Sequence, residues 1–393
     1  PEMISKQSLD GRQVIRYEHA SRKQWGYEVP QKDYFNFLPA KADMKNAPLR
    51  VVLHSGGGSG DTALDFAFKN KGWFHFYEGD DYHVLYLDCR KNQDVDWWWG
   101  YHEIKRNPDR YKDKLTPTEQ RVLGTIEWVA RAYDVDRNRI YLSGISMGGS
   151  GSLGIGLLNG DIFAAISVCV PAGVEHMESR MTNGMQSDPP PLFNFSSHLD
   201  RWSKGQERLL AAFEKNKYSL FFAWAPFGHS SDVSTANPAV VEFPWLSIRK
   251  NEAYPVFTRA STDHRYPGFN QKTAPDQSGQ INGYLRWKNL EDSAERFAME
   301  LRLIKKEELS RPIEVPMESV GSVSLRRLQT FEVRKGTSYQ WSLRSGEDVL
   351  DSGSVTVGED GVLTIPAVTI SSLPKRLEVS SLNGASAESV GGP

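Results

Sequence analysis

Hydrophobic residues in the first 235 positions cluster into short runs, and polar or glycine-rich segments separate these runs. The runs are rich in β-branched and aromatic residues, which favour strands. Most of them are apolar throughout instead of alternating with polar residues, as is typical of strands buried on both faces of a parallel sheet. The pattern predicts strands over residues 34–38, 49–53, 83–88, 140–144, 163–170, 191–195 and 218–224.

Helical patterns lie between several of these strands. The sequence TPTE at residues 116–119 supplies a threonine N-cap, a proline at the first helical position and the glutamate of a capping box. Apolar residues then recur at intervals of three and four from Val122 to Tyr133, which indicates one apolar helix face. Further helices are predicted over residues 146–158 and 203–216. Alternating buried strands and helices predict an α/β fold with a mostly parallel central sheet.

The pattern changes after about residue 235, first to an irregular region and then to short runs in which apolar and polar residues alternate. These runs predict a small antiparallel, β-sandwich-like domain, with strands over residues 297–304, 328–336, 339–346 and 361–368. The sequence GEDG at residues 358–361 predicts a hairpin turn between two of them. The predicted organisation is an α/β domain over residues 1–286, a β-domain over residues 287–381 and a loose tail over residues 382–393.

The composition is that of an ordinary globular protein, and it argues against two classes of partner. Of the 393 residues, 39% are hydrophobic and 24% are charged, which is enough for a sizeable core. Lys and Arg (47) nearly balance Asp and Glu (49), so no electrostatic footprint for nucleic acid or an anionic membrane surface is expected. No run approaches the roughly 18 apolar residues of a membrane span. Cys89 and Cys169 lie in apolar runs, which favours buried thiols over a disulfide.

The sequence GISMG at residues 144–148 fits the pattern G-x-S-x-G and lies between a predicted strand and a predicted helix. Flanking glycines allow a sharp turn that presents the Ser146 hydroxyl at the edge of the sheet. The alternative is a glycine-rich turn that binds phosphate. Neither G-x-G-x-x-G nor G-x-x-x-x-G-K-[ST] occurs here, so the sequence favours Ser146 as a nucleophile.

A serine nucleophile needs a histidine base, and the histidine needs a carboxylate to orient it. His229 follows the predicted strand 218–224, which places it at the carboxyl edge of the sheet, where Ser146 also emerges. Asp200 ends the segment PLFNFSSHLD, one strand before the histidine, and so completes the chain order Ser, acid, His. The alternative role for Asp200 is a helix N-cap. Asp232 is a weaker candidate acid, because it lies only three residues from His229.

Attack on a carbonyl creates an oxyanion, so two backbone donors are expected near the serine. The N–H of Met147, the residue after the nucleophile, is one candidate. The sequence HSGGG at residues 54–58 follows an early strand and offers the other, with Gly57 favoured and Gly56 next. No group of His, Cys and Asp has the spacing of metal ligands, and no cofactor is expected.

Residues 30–235 resemble the α/β-hydrolase superfamily in the strand pattern and in the segments HSGGG, GISMGG, SSHLD and FGHSS. Within it the sequence is similar to polysaccharide-associated esterases of the feruloyl and acetyl xylan types, and to polyhydroxybutyrate depolymerase-like proteins. The resemblance implies a serine carboxylesterase that acts on esters linked to polysaccharides, for which an extracellular or periplasmic location is expected. The sequence departs from the family where HSGGG replaces the more usual HGGG, and in its trailing β-domain.

Four aromatic residues cluster in a segment expected near the active-site face of the sheet. Aromatic rings stack on sugars and phenolic acids, so the cluster predicts a substrate platform; the alternative is that the rings bury an irregular loop. The residues concerned are Trp97, Trp98, Trp99 and Tyr101.

Two other functions are compatible with these patterns. A serine peptidase of the prolyl oligopeptidase type shares the fold and the triad, but such enzymes usually carry a β-propeller ahead of the catalytic domain. Only about 30 residues precede the core here, which argues against this alternative. The second alternative is a non-catalytic carbohydrate-binding protein, which the presence of all three triad residue types argues against.

Overall fold

In the part of the chain that the structure describes, the strands form one large sheet and two smaller ones. The computed structural model describes residues 1–20, 23–27, 32–41, 44–69, 81–89, 97–100, 114–177, 180–181, 187–269 and 277–381. Within these ranges the strands are β1 (Glu2–Leu9), β2 (Arg12–Ala20), β3 (Lys32–Leu38), β4 (Leu49–Leu53), β5 (His83–Leu87), β6 (Ile140–Ile145), β7 (Ala165–Cys169), β8 (Leu192–Ser196), β9 (Leu220–Trp224), β10 (Tyr254–Thr258), β11 (Gly279–Ile281), β12 (Leu285–Asp292), β13 (Arg296–Leu303), β14 (Glu318–Arg326), β15 (Ser338–Ser345), β16 (Asp348–Thr356), β17 (Thr364–Ser371) and β18 (Lys375–Ser381). The α-helices are α1 (Gly60–Lys69), α2 (Pro117–Ala132), α3 (Met147–Leu158), α4 (Gln206–Asn216) and α5 (Pro238–Val241).

The large sheet has the order β1-β2-β3-β5-β4-β6-β7-β8-β9-β11. Its central strands, from β5 across to β9, pair in parallel, while β1, β2 and β3 at one edge and β11 at the other pair antiparallel. The parallel strands are buried along their whole length, as their continuous apolar runs predict. The predicted α/β architecture with a mostly parallel sheet is therefore confirmed. Among the described residues, no helix is long and apolar enough to cross a membrane.

Helix α2 begins as its sequence predicts. The Thr116 side chain accepts a hydrogen bond from the backbone N–H of Glu119 at 3.2 Å, and the Glu119 carboxylate accepts one from the N–H of Thr116 at 2.7 Å. This capping box satisfies two backbone donors that the helix itself leaves unpaired. Glu119 is fully buried and forms an ion pair with Arg180, which is also fully buried. The start of α2 is thereby joined to the segment that follows β7.

The C-terminal region forms the two remaining sheets, with the orders β10-β14-β17 and β12-β13-β18-β15-β16. All their strand pairs are antiparallel. Apolar residues of both sheets, among them Val323 and Ile365 from the first and Met299 and Leu377 from the second, share one buried cluster. Two sheets that bury a common apolar layer make a β-sandwich-like domain, as predicted.

Two local predictions for this region are wrong. Residues 328–336 do not form a strand, because the Asp292 carboxylate accepts hydrogen bonds from the backbone N–H groups of Gln329, Thr330 and Phe331 and holds the segment as a loop. Residues 358–361 do form a turn, closed by a 3.1 Å hydrogen bond. That turn connects β16 to β17, which belong to different sheets, so it is not a hairpin turn.

The two regions of the chain are interleaved rather than joined at one point. Strand β10 lies before residue 286, yet it pairs with β14 in a C-terminal sheet, while the later strand β11 pairs with β9 in the large sheet. Phe193 and Phe221 of the large sheet also belong to the same buried cluster as Phe257, Val323 and Leu377 of the C-terminal sheets. The α/β and β regions therefore share part of their core.

This interleaving makes the folding of the first 286 residues dependent on the rest of the chain. A chain that ends at residue 286 removes β14, the sheet partner of β10, and uncovers apolar surface that the C-terminal strands bury. We expect this fragment to aggregate or to unfold without a cooperative transition, measured by size-exclusion chromatography and thermal unfolding. A chain that ends at residue 381 serves as the control and should unfold like the full chain. A soluble, cooperatively folded 1–286 fragment would contradict the prediction.

Candidate active site

Three side chains that are distant in sequence form a continuous chain of hydrogen bonds. Ser146 Oγ lies 2.7 Å from His229 Nε2, and His229 Nδ1 lies 2.8 Å from Asp200 Oδ2. Because a carboxylate only accepts, Nδ1 carries the proton and Nε2 is free to accept from the serine hydroxyl. The Asp200 side chain is buried, whereas the His229 side chain is 33% exposed. The structure thus brings the predicted nucleophile, base and acid together in the order that proton transfer requires.

Ser146 occupies a strained turn between β6 and α3. Its backbone has φ 55° and ψ −115°, a conformation that residues other than glycine rarely adopt. Its N–H donates to the carbonyl of Cys169 on the neighbouring strand at 2.9 Å. A Cβ atom at Gly144 would lie 2.3 Å from the backbone of Gly148, and one at Gly148 would lie 2.0 Å from the carbonyl oxygen of Leu53. Only glycine fits at both positions, which explains the G-x-S-x-G spacing.

Asp200 has both of the roles that the sequence left open. Its Oδ1 accepts from the backbone N–H of Trp202 at 3.0 Å, so it caps the short 3-10 helix Arg201–Ser203. Its Oδ2 accepts from Ser203 Oγ at 2.6 Å and from the His229 ring. These bonds fix the carboxylate next to the imidazole. Asp232, the weaker candidate, instead accepts hydrogen bonds from Ser234, and these bonds lower the pKa of its carboxyl group.

The loop that carries His229 is tied to the end of β8 and to β7. The backbone N–H of Gly228 donates to Ser197 Oγ at 3.0 Å, and the Cys169 thiol donates to the carbonyl of Ser230 at 3.5 Å. Burial raises the pKa of the Cys169 thiol, which therefore stays protonated and able to donate. Both Cys89 and Cys169 are buried and neither forms a disulfide, as predicted. These bonds hold the histidine over the serine.

A cavity of about 310 Å³ opens beside the serine hydroxyl. Its lining residues are Ser55, Gly56, Phe66, Ile145, Ser146, Val170, His229, Ser230 and Ser231. Met147 is the first residue of α3, and a Cβ atom at Gly56 would lie 3.9 Å from the Met147 Cβ. Gly57 adopts φ 73° in the turn beyond and is not among the lining residues. Of the two glycines predicted to supply the second oxyanion donor, Gly56 is the one that lines the cavity.

The predicted aromatic platform needs a correction. Trp98 and Trp99 are fully buried, because their rings pack against α3. A ring without exposed surface cannot stack on a substrate, so these two residues form no platform. Trp97 is half-buried and lies 6.2 Å from the ring of Trp202, and Tyr101 lies outside the described residues.

Trp202 is the residue of the site that the sequence analysis missed. It is 49% exposed, and its ring centre lies 6.5 Å from that of His229. The available signal was its position two residues after Asp200, since a residue so close to the acid is carried to the same edge of the sheet. Phe66 in the cavity wall is 54% exposed, and Leu199, directly before Asp200, is 40% exposed. Exposed apolar side chains are therefore found in the cavity wall, at Phe66, and beside His229, at Trp202.

Within the described ranges, no group of three or more His, Cys, Asp or Glu side chains is arranged to hold a metal ion. The described polar groups nearest the serine hydroxyl suit proton transfer between side chains. The site therefore offers a nucleophile, a base and an acid in line, next to an open cavity.

A serine presented by a tight strand-to-helix turn of a mostly parallel sheet, with the acid and the histidine following in that order, defines an α/β-hydrolase fold. No protein-family model and no curated protein matches this sequence. Similar solved structures include an S-formylglutathione hydrolase from Agrobacterium tumefaciens (14% identity, 59% of this chain and 93% of that chain, TM-score 0.43). They also include a thermostable esterase (17% identity, 60% of this chain and 63% of that chain, TM-score 0.45). A third is a ferulic acid esterase from Anaeromyces mucronatus in complex with ferulic acid (11% identity, 62% of this chain and 93% of that chain, TM-score 0.40). The fold is assigned from the strand order and the turn at Ser146. The similarities to these structures are not used for it.

The contact between Gly148 and Leu53 predicts that any side chain at position 148 destabilises the protein. In Gly148→Ala the added Cβ meets a backbone oxygen at 2.0 Å, so the strand or the helix must move. We expect the free energy of unfolding to fall by at least about 2 kcal/mol, measured by urea denaturation. Gly358→Ala is the control, because its Cβ meets only Asp360 Oδ1 at 3.5 Å; a change of less than about 0.5 kcal/mol is expected there. Equal stability of the two variants would show that the close approach is not as described.

Proposed function

We propose that this protein is a serine carboxylesterase that works through a covalent acyl-enzyme. The observation that carries the proposal is the hydrogen-bonded chain from Ser146 through His229 to Asp200. In the proposed reaction, Ser146 Oγ attacks the ester carbonyl carbon while His229 Nε2 takes the hydroxyl proton and then gives it to the leaving alcohol. Water hydrolyses the acyl-enzyme with the same histidine as base. Asp200 orients the imidazole and stabilises the imidazolium.

The oxyanion of each tetrahedral intermediate is proposed to bind to backbone N–H groups. Met147 stands at the start of α3, where the first N–H groups have no partner within the helix and the helix dipole favours negative charge. We assign the second donor to Gly56, because it lines the cavity beside Ser146. Such donors lower the activation barrier by about 3 kcal/mol each. No cofactor takes part in this mechanism.

The aromatic side chains at and near the cavity support a substrate that carries a ring. The Trp202 ring centre lies 6.5 Å from that of His229 and 6.2 Å from that of Trp97, and Phe66 contributes to the wall of the cavity. Rings at such positions bind sugars and phenolic acids by stacking. Together with the resemblance of the sequence motifs, this favours feruloyl or acetyl substituents of plant or algal polysaccharides as substrates. Such polymers are met outside the cell or in the periplasm, which is where we propose that the enzyme acts.

Replacing the nucleophile tests the reaction. Ser146→Ala should reduce the hydrolysis of a p-nitrophenyl ester by at least about 10⁴-fold, because the acyl-enzyme can no longer form. Ser247→Ala is the matched control: this serine is exposed, and its hydroxyl donates only to the carbonyl of Pro244. Its rate should equal that of the unchanged protein. A fluorophosphonate probe should label the control and not Ser146→Ala. Retained activity in Ser146→Ala, or no labelling of the unchanged protein, would refute the proposed esterase.

The substrate class is tested at Trp202. In Trp202→Ala, KM for a feruloylated oligosaccharide should rise about 5- to 30-fold, because the stacking surface is lost. The rate with ethyl acetate, which carries no ring that could stack on Trp202, should change by less than about threefold. The backbone N–H of Trp202 remains, so Asp200 keeps its hydrogen bond. A proportional loss on both substrates would mean that the ring supports His229 rather than the substrate.

A further inference from the structure

Trp98 and Trp99, the two buried tryptophans that form no platform, pack against the helix that follows the nucleophile. They belong to the WWWG turn (residues 97–100), and their rings stand on one face of α3, the helix that begins directly after Ser146. A Cβ atom at Gly151 would lie 2.4 Å from the Trp98 Cβ, and one at Gly154 would lie 2.5 Å from the Trp99 Cγ. The rings therefore contact the helix backbone, which only glycine permits at these two positions.

Trp98 also contacts the segment that carries the proposed oxyanion donor. Its indole Nε1–H donates to the backbone carbonyl of His54 at 3.1 Å, and the two rings meet edge to face with centres 5.1 Å apart. Trp98 thus lies between the helix of the nucleophile and the HSGGG segment. Trp99 differs, because its Nε1–H donates to Ser150 Oγ at 2.7 Å, which lies within α3 itself.

The HSGGG segment is fixed from its other side by the imidazole of His54. The ring is buried, and its Nδ1 lies 2.8 Å from the carbonyl oxygen of Ser55, while its Nε2 lies 3.0 Å from the backbone N–H of Cys89. A carbonyl can only accept and an N–H can only donate, so the proton is on Nδ1. The N–H of Gly58 donates to the same Ser55 carbonyl. The turn that contains Gly56 is therefore held by His54 from within and by Trp98 from outside.

The backbone of the WWWG turn is strained. Trp97 has φ 43° and Trp98 has φ 72°, which is the left-handed region that bulky residues avoid. Such conformations persist only where the surroundings determine them, and they cluster at functional sites. Here the buried Arg180 donates to the carbonyl of Trp99 at 3.2 Å and places its guanidinium 5.0 Å from the Trp99 ring centre. The strained turn is thus fixed in the orientation that directs the indole N–H of Trp98 to the backbone carbonyl of His54.

We propose that Trp98 is a positioning residue for the oxyanion hole. By bonding the His54 carbonyl while packing on Gly151, it sets the distance between the Gly56 amide on one side and the Met147 amide on the other. This inference rests on the proposed esterase function. Donors stabilise an oxyanion only when they lie about 3 Å from it, and a displacement of about 1 Å reduces the rate by as much as about 100-fold.

Trp98→Phe tests the proposal, because it removes the N–H and keeps an aromatic ring on Gly151. Trp224→Phe is the matched control: Trp224 is also fully buried, but its Nε1 has no hydrogen-bond partner in the part of the chain that the structure describes. We expect kcat of Trp98→Phe to fall about 10- to 100-fold below that of the control, with KM changed less than about twofold. The inhibition constant of a trifluoromethyl ketone, whose adduct places an oxyanion in the same hole, should rise by a similar factor.

The outcomes separate this inference from the proposed function. An unchanged protein that neither hydrolyses esters nor reacts with a fluorophosphonate overturns both. An active protein in which Trp98→Phe and Trp224→Phe have the same kcat, or in which Trp98→Phe raises KM alone, overturns the positioning role only. If Trp98→Phe does not fold, Gly151→Ala replaces it, since its added Cβ would lie 2.4 Å from the Trp98 Cβ and therefore displaces the Trp98 side chain. A folded Gly151→Ala with unchanged kcat and unchanged ketone affinity likewise overturns the inference.

Discussion

The close approach of α3 to the end of β4 is the constraint on which the site depends. Strands β4 and β6 are parallel neighbours with Leu53 opposite Gly144, and the first turn of α3 lies directly on the carbonyl of Leu53 because Gly148 has no side chain. This contact fixes the strained turn at Ser146. It also brings the segment after β4, with Gly56, next to Met147. One steric condition therefore places both the nucleophile and the proposed oxyanion donors.

Much of this arrangement could be predicted from the sequence, for a topological reason. The carboxyl ends of parallel strands meet at one edge of a sheet, so residues that follow separate strands come together without any knowledge of packing. Ser146, Asp200 and His229 each follow a buried apolar run, and the structure brings them within hydrogen-bonding distance. The two roles considered for Asp200 did not exclude each other, since its two oxygens serve the cap and the histidine separately.

The features that the sequence did not predict depend on contacts between distant residues. Trp98 and Trp99 are buried because Gly151 and Gly154, about 50 residues away, leave room for their rings. Residues 328–336 have a strand-like pattern, but the carboxylate of Asp292 binds their N–H groups. Strands β1 and β2 pair at the edge of the large sheet, where β1 is exposed along most of its length and so lacks an apolar signature. The hydrophobic periodicity of a segment indicates which of its faces are buried, but it does not identify the distant residues that bury them.

The position of β10 has a consequence for how the protein is made. During translation, β10 emerges from the ribosome together with the α/β region, whereas its partner β14 begins about 60 residues later in the chain. During that interval the buried face of β10 has no cover, and exposed apolar strands at this stage favour misassembly. The same crossing of the chain means that the two regions cannot be exchanged between genes by a single recombination point without separating paired strands. The two regions therefore have to be synthesised, folded and inherited together.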